Sequence, residues 1–188
     1  DGDDIYLNDS VFTSRIEEVM TLYLINLNIS DLTGIEDFSS LKELYCQNNQ
    51  LSDITLNNSN LEKLDCSFNQ ITNIDLSNLT KIEDLHCHNN QIQSINVTSS
   101  LKYLWCYYNG LSNIDLSSAT SLQSLRCQYN NILSLDLSNA SYIRTLICRY
   151  NNISNIDLTN NINLNENDIS NNKISSLDLS NNTSLTKI

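Results

Sequence analysis

The chain repeats itself. Aligned on the pattern LxxLxCxxNxLxxIDLSN, segments of about 21 residues open at Leu41, Leu61, Ile82, Leu101, Leu122, Ile143 and Leu164, with an eighth opening at Leu185. Counted from each opening residue, position 4 holds Leu44, Leu64, Leu85, Leu104, Leu125 and Leu146. Position 9 holds Asn49, Asn69, Asn90, Asn109, Asn130, Asn151 and Asn172, and position 11 is Leu or Ile throughout. A unit this short cannot enclose its own apolar side, but it can bury that side against copies of itself. A solenoid follows, in which each turn packs on its two neighbours.

A more divergent segment, "VMTLYLINLNISDLTGIEDFSS", runs from Val19 with Leu27 in the asparagine slot, and residues 1–18 break the period. We therefore expect an N-terminal cap over 1–18, partly helical and truncated, with Phe12, Ile16 and Val19 on one apolar face. Repeats fill 19–188: seven full, one divergent first and one partial last. Asp1, Asp3, Asp4 and Asp9 lack the Gly and terminal Glu offsets of a calcium loop. The load of Asn and Ser invites a reading of disorder, but 40% apolar residues at strict spacing oppose it. A net charge of −12 argues against nucleic acid and anionic membrane surfaces as partners. No apolar run approaches the ~18 residues of a membrane span, so no membrane insertion is expected. The opening "DGDDIYLND" and closing "TSLTKI" suggest a mature or truncated piece of a longer protein.

The LxxLxCxxNxL signature resembles the leucine-rich-repeat family and covers about 170 of the 188 residues. More narrowly it is similar to internalin-like bacterial repeats with a cysteine at position 6, and Ile29–Leu41, "ISDLTGIEDFSSL", matches their turn pattern. The resemblance implies a right-handed α/β-type superhelix, mostly β and irregular turns, with one parallel β-sheet on its concave face. It also implies a secreted or cell-surface bacterial recognition protein. The seventh repeat departs from the pattern: Asn167 replaces the position-4 Leu and Ile169 the cysteine.

Cys46, Cys66, Cys87, Cys106, Cys127 and Cys148 share one slot. On a strand that slot lies on the same side as the position-4 Leu, hence inward. Adjacent strands bring equivalent Cα atoms within bridging range, yet parallel Cβ vectors keep the Cβ atoms about 4.8 Å apart, beyond the ~3.8 Å of a disulfide. A straight column also cannot surround zinc, and Ile169 in the same slot fits neither a ligand nor a nucleophile. A buried ladder of free thiols is expected. The position-9 asparagines are expected to bond backbone groups of neighbouring turns. Asp75, Asp115, Asp136, Asp157 and Asp178, interrupted by Asn96, are read as turn acceptors; stacked carboxylates holding calcium are the rival reading.

Positions 3, 5 and 7 point away from the core, and position 8 sits where the chain leaves the sheet. Stacking gathers His86, His88, Tyr103, Trp105, Tyr107, Tyr108, Arg126, Tyr129, Arg149 and Tyr150 on one face, with Ile147 among them and Glu43, Asp65, Glu166 and Asp168 to either side. Trp, Tyr and Arg are the residue types of binding hot spots, and these ten are the expected partner-binding set. Cross-strand packing of aromatics is the competing explanation. His86 and His88 make a His-x-His pair beside Asp65 but lack an evident third ligand, so no metal or cofactor is assigned. No catalytic constellation stands out, and no enzyme is expected. The function expected is recognition of a protein or carbohydrate partner by a monomeric module; the alternative is a spacer presenting other domains.

Overall fold

The structure, a computed structural model, describes residues 13–187. Most of the expected cap, including Phe12, lies outside the described residues. A single helical turn, α1 (Thr13–Ile16), precedes the repeats.

Each repeat contributes positions 3–5 as a three-residue strand: β1 (Thr21–Tyr23), β2 (Glu43–Tyr45), β3 (Lys63–Asp65), β4 (Asp84–His86), β6 (Tyr103–Trp105), β8 (Ser124–Arg126), β9 (Thr145–Ile147) and β10 (Glu166–Asp168). Across the described residues these form one parallel sheet in the order β1-β2-β3-β4-β6-β8-β9-β10. Every pairing joins like to like, as in Leu85↔Leu104↔Leu125. Repeat position thus becomes a spatial column. A second, two-stranded parallel sheet, which the sequence did not suggest, pairs β5 (Ser94–Asn96) with β7 (Asn113–Asp115). It forms where Asn96 interrupts the aspartate column.

Strands this short cannot hold a sheet by ladder bonds alone, and the asparagine column supplies the rest. Asn130 shows the pattern. Its Oδ1 accepts the Leu111 N–H of the preceding turn at 3.0 Å, while its Nδ2 donates to the Cys106 carbonyl at 3.1 Å and the Cys127 carbonyl at 3.0 Å. Asn69, Asn90, Asn109, Asn151 and Asn172 repeat this arrangement. Each cysteine carbonyl from Cys46 to Cys148 therefore receives two amide protons, one from its own turn and one from the next. Because the amide reaches backwards, Leu27 in the first repeat is intelligible: no earlier repeat needs serving. Asn49 reaches back to it, accepting from the Leu27 and Ile29 amides.

Inside, the columns are Leu at position 4, Cys at 6 and Leu or Ile at 1 and 11, essentially inaccessible from Leu41 to Leu164 and partly buried at Ile174 and Leu185. The six thiols are free and buried. Burial pushes them up, to about 12 for Cys46, Cys87 and Cys148, so none is a thiolate at neutral pH. The aspartates at position 15 are turn residues: the carboxylates of Asp75, Asp115, Asp136, Asp157 and Asp178 each accept the amide two residues on, at 2.9–3.0 Å. A second asparagine column lies away from the sheet. Asn58, Asn161 and Asn182 are buried and donate to carbonyls of the preceding turn. Asn167 fares differently. It is buried with both amide atoms unpaired, at a cost of about 1–3 kcal/mol in the last strand of the sheet.

The thiol ladder yields a direct prediction. Native protein should leave all six cysteines unreactive toward an aromatic disulfide reagent, and denatured protein should titrate six. Fewer than six on denaturation would mean that a bridge exists.

Candidate functional site

The candidate site is the outer face of the eight-stranded sheet. Position 5 carries one line of rings and charges. His86 stacks on Trp105, with centroids 4.0 Å apart and planes 8° from parallel. Arg126 lies over the opposite face of Trp105 at 5.4 Å. Nearer the N-terminus, Tyr23 stacks on Tyr45 at 4.9 Å, and Lys63 sits over Tyr45. At position 7, His88 stacks on Tyr107 at 4.2 Å. Position 8 carries the longest run: Tyr108 on Tyr129 at 4.3 Å and Tyr129 on Tyr150 at 4.6 Å, with Arg149 over Tyr129 at 5.6 Å.

Of the ten expected residues, eight join these ladders with side chains open to solvent in whole or part. Tyr103 is exposed but stands apart, its hydroxyl 3.5 Å from Gln123. His88 is only 7% exposed, perpendicular to Phe68 and stacked on Tyr107, so it supports the surface from below. Ile147 is likewise buried despite its outward position. Contributors outside the expected set include the stacked Tyr23 and Tyr45, together with Phe68 and Asp84. Phe68 extends the position-8 column and is half exposed. Asp84 sits at a position-3 slot yet reaches both Lys63, at 3.0 Å, and His86, at 3.1 Å. Its i,i+2 relation to His86 was the available signal.

The two histidines take opposite charge states. Burial disfavours a charged His86, but Asp65 and Asp84 on its two sides outweigh it and raise it to about 9. Burial lowers His88 to about 4, and its Nδ1 faces the Asn89 amide at 2.9 Å. At neutral pH a cationic imidazole therefore lies flat on Trp105, and a neutral one lies flat on Tyr107. The His-x-His pair is split between two jobs. Among the described residues no three His, Cys, Asp or Glu side chains are arranged to hold a metal ion.

Backbone geometry bears on the tyrosines. Position 8 is left-handed in every repeat, with φ between 51° and 59°. Asn26, Asn48, Asn89 and Asn171 suit that conformation; Phe68, Tyr108, Tyr129 and Tyr150 do not, at roughly 1–2 kcal/mol each. Gly110, two residues beyond Tyr108, does not take the left-handed turn. Stacking returns about 0.5–1.5 kcal/mol for each of the two tyrosine pairs, less than the strain of the three tyrosines that form them.

Comparison with known proteins accords with this geometry. The family pattern for Leucine Rich repeats (2 copies) matches residues 59–98. No curated protein matches by sequence. Among solved structures, the functional domain of InlJ from Listeria monocytogenes, itself described as including a cysteine ladder, is 35% identical with a TM-score of 0.91. The chain is an internalin-like leucine-rich-repeat protein. The match to InlJ covers 94% of this chain and 40% of that one, so this internalin-like chain spans well under half the InlJ domain. Internalin C2 of the same organism is 28% identical over 95% of this chain and 84% of its own, with a TM-score of 0.81. An internalin designated inlF is 26% identical at a TM-score of 0.71, covering 94% of this chain and 62% of its own.

Two outcomes are expected from the site's physical chemistry. His86 is raised, so its contribution to stability is complete below about 6.5 and is lost as pH rises towards 9. His88 is lowered, so stability is lost as pH falls from about 6.5 towards 4. Each limb is worth at most about 3 kcal/mol. Urea midpoints should peak near pH 6.5; His86→Gln should flatten only the alkaline limb, and His88→Gln only the acid limb between 6.5 and 4. Separately, replacing Tyr108, Tyr129 and Tyr150 together by Asn should leave stability unchanged or raise it by up to about 3 kcal/mol, because strain relieved at three residues outweighs stacking lost from two ring pairs. A loss of several kcal/mol would make the tyrosine ladder architectural.

Proposed function

We propose that the chain is a protein-interaction module of a secreted or cell-surface bacterial protein, and that it engages its partner through the outer, concave face of the eight-stranded sheet. The internalin-like leucine-rich-repeat fold indicates a protein-interaction module in bacterial proteins. Leucine-rich repeats of this type are in general not enzymes. The carrying observation is the position-8 ladder, where three tyrosines occupy left-handed backbone that Asn serves without strain at Asn48, Asn89 and Asn171. A spacer gives no reason for that expense.

The geometry also favours a protein over a sugar that docks by ring stacking. A pyranose needs an open aromatic face. Here Trp105 is covered by His86 on one side and Arg126 on the other, and Tyr129 lies between Tyr108 and Tyr150. At the centre of each stack what remains outward is ring edges, hydroxyls and guanidinium groups, which suit the mixed polar and apolar surface of a folded protein.

Screening the wild-type chain and a Trp105→Ala, Tyr107→Ala, Arg126→Ala variant against protein and glycan arrays tests this reading. A protein ligand should bind the wild type and be weakened by 100-fold or more in the variant, as expected when two or three hot-spot side chains are lost. Equal binding by the variant removes the sheet face from consideration, and selective binding of neutral glycans overturns the partner class.

A further inference from the structure

Arg126 and Arg149 are unusual among the charged groups of the sheet face: each is held in place by a ring, and neither uses its donors. Arg126 lies over Trp105 and Arg149 over Tyr129. Neither guanidinium makes a hydrogen bond among the described residues, and the Nε atoms of both are buried without an acceptor. Each arginine has one carboxylate oxygen within ion-pair range, but neither comes within hydrogen-bond distance. Glu166 is bound by Lys187 at 2.6 Å, which leaves Arg126 at 3.9 Å, beyond hydrogen-bond distance. Asp168 accepts the Ser170 amide and hydroxyl through Oδ1, so its second oxygen remains 3.6 Å from Arg149.

Arg126 ends β8 and Arg149 lies two residues past the end of the neighbouring β9, which puts them about 8 Å apart along the backbone. Two cationic forks with unpaired Nη donors, fixed by aromatic stacking, form a receptor for planar anions. Fork-to-fork geometry makes carboxylate the matching anion, and aromatic preorganisation limits the entropy lost on docking.

We propose that Arg126 and Arg149 form a carboxylate clamp that seats an acidic segment of the partner protein, aspartate or glutamate side chains, against the edge of the tyrosine ladder. The clamp rests on the sheet face being the binding face. The docked carboxylates meet the Nη donors, because both arginine side chains stay partly open to solvent.

Trp105, the sole tryptophan, lies beneath Arg126 and reports on the clamp by its fluorescence. The probes are an octaglutamate peptide, an octaglutamine control, inorganic phosphate and sialyllactose, titrated into the full chain. Octaglutamate should give a saturable Trp105 response that weakens with added salt, and octaglutamine none. R126Q and R149Q, checked for native circular dichroism, should each reduce octaglutamate affinity about tenfold, the scale of a lost charge-assisted pair. No response to octaglutamate, or equal affinity in both variants, overturns the clamp. Phosphate or sialyllactose binding through the same arginines as tightly as octaglutamate overturns the acidic-peptide assignment. A protein partner that is lost with Trp105→Ala, Tyr107→Ala, Arg126→Ala but fully kept by R126Q and R149Q would sink the clamp while leaving the binding face intact.

Discussion

The structure depends on one side-chain amide used over and over. Where each turn leaves the sheet, its backbone polar groups pass towards an apolar interior, and an unpaired group there costs more than a single turn can recover elsewhere. The position-9 asparagine closes that gap by accepting one amide from the preceding turn and donating to two cysteine carbonyls. No aliphatic residue has both functions, and aspartate has no donor to give. This bond couples turn to turn and so fixes the register in which all other columns align. The cysteines pack inward as small apolar groups beneath it, and their carbonyls, rather than their thiols, carry the specific interaction.

The same exit bend shapes the outer surface. Leaving the sheet requires a left-handed residue just before the asparagine. In half of the repeats that residue is Asn, which bears the conformation easily, and in the others it is Phe or Tyr, which does not. Strain of this kind persists where surrounding interactions hold it, and here the neighbouring rings do so. The sheet face thus combines a rigid, inexpensive scaffold with a surface strip that is not optimised for stability. Rings stacked face to face present edges, and the arginines lying over them keep unused donors. A surface of that kind meets a partner with little rearrangement.

The histidines show how far local environment overrides residue type. Two residues apart on one chain face, they differ by several orders of magnitude in proton affinity. His86 lies between two carboxylates. His88 is covered by Phe68 and Tyr107. Column arithmetic places both on the outer side of the sheet, but it says nothing of how large neighbours lean, and the rings of adjacent repeats close over His88.

Most of the architecture was legible because a solenoid turns sequence period directly into spatial neighbourhood. The thiol ladder, the asparagine ladder and the aspartate turns followed from the slot each residue occupies, and Leu27 and Ile169, the exceptions, fit the same logic. The sequence by itself determined which residues share a column and which side of the sheet they face, since a repeat of fixed length leaves those no freedom. Only the tertiary structure decided what happens within a column. Ring planes, the left-handed tyrosines, the sharing of Asp84 between Lys63 and His86, and the unspent donors of Arg126 and Arg149 depend on rotamers and on distances of a few ångströms between turns. A repeat pattern does not encode those, because they are set by the side chains of three adjacent turns at once.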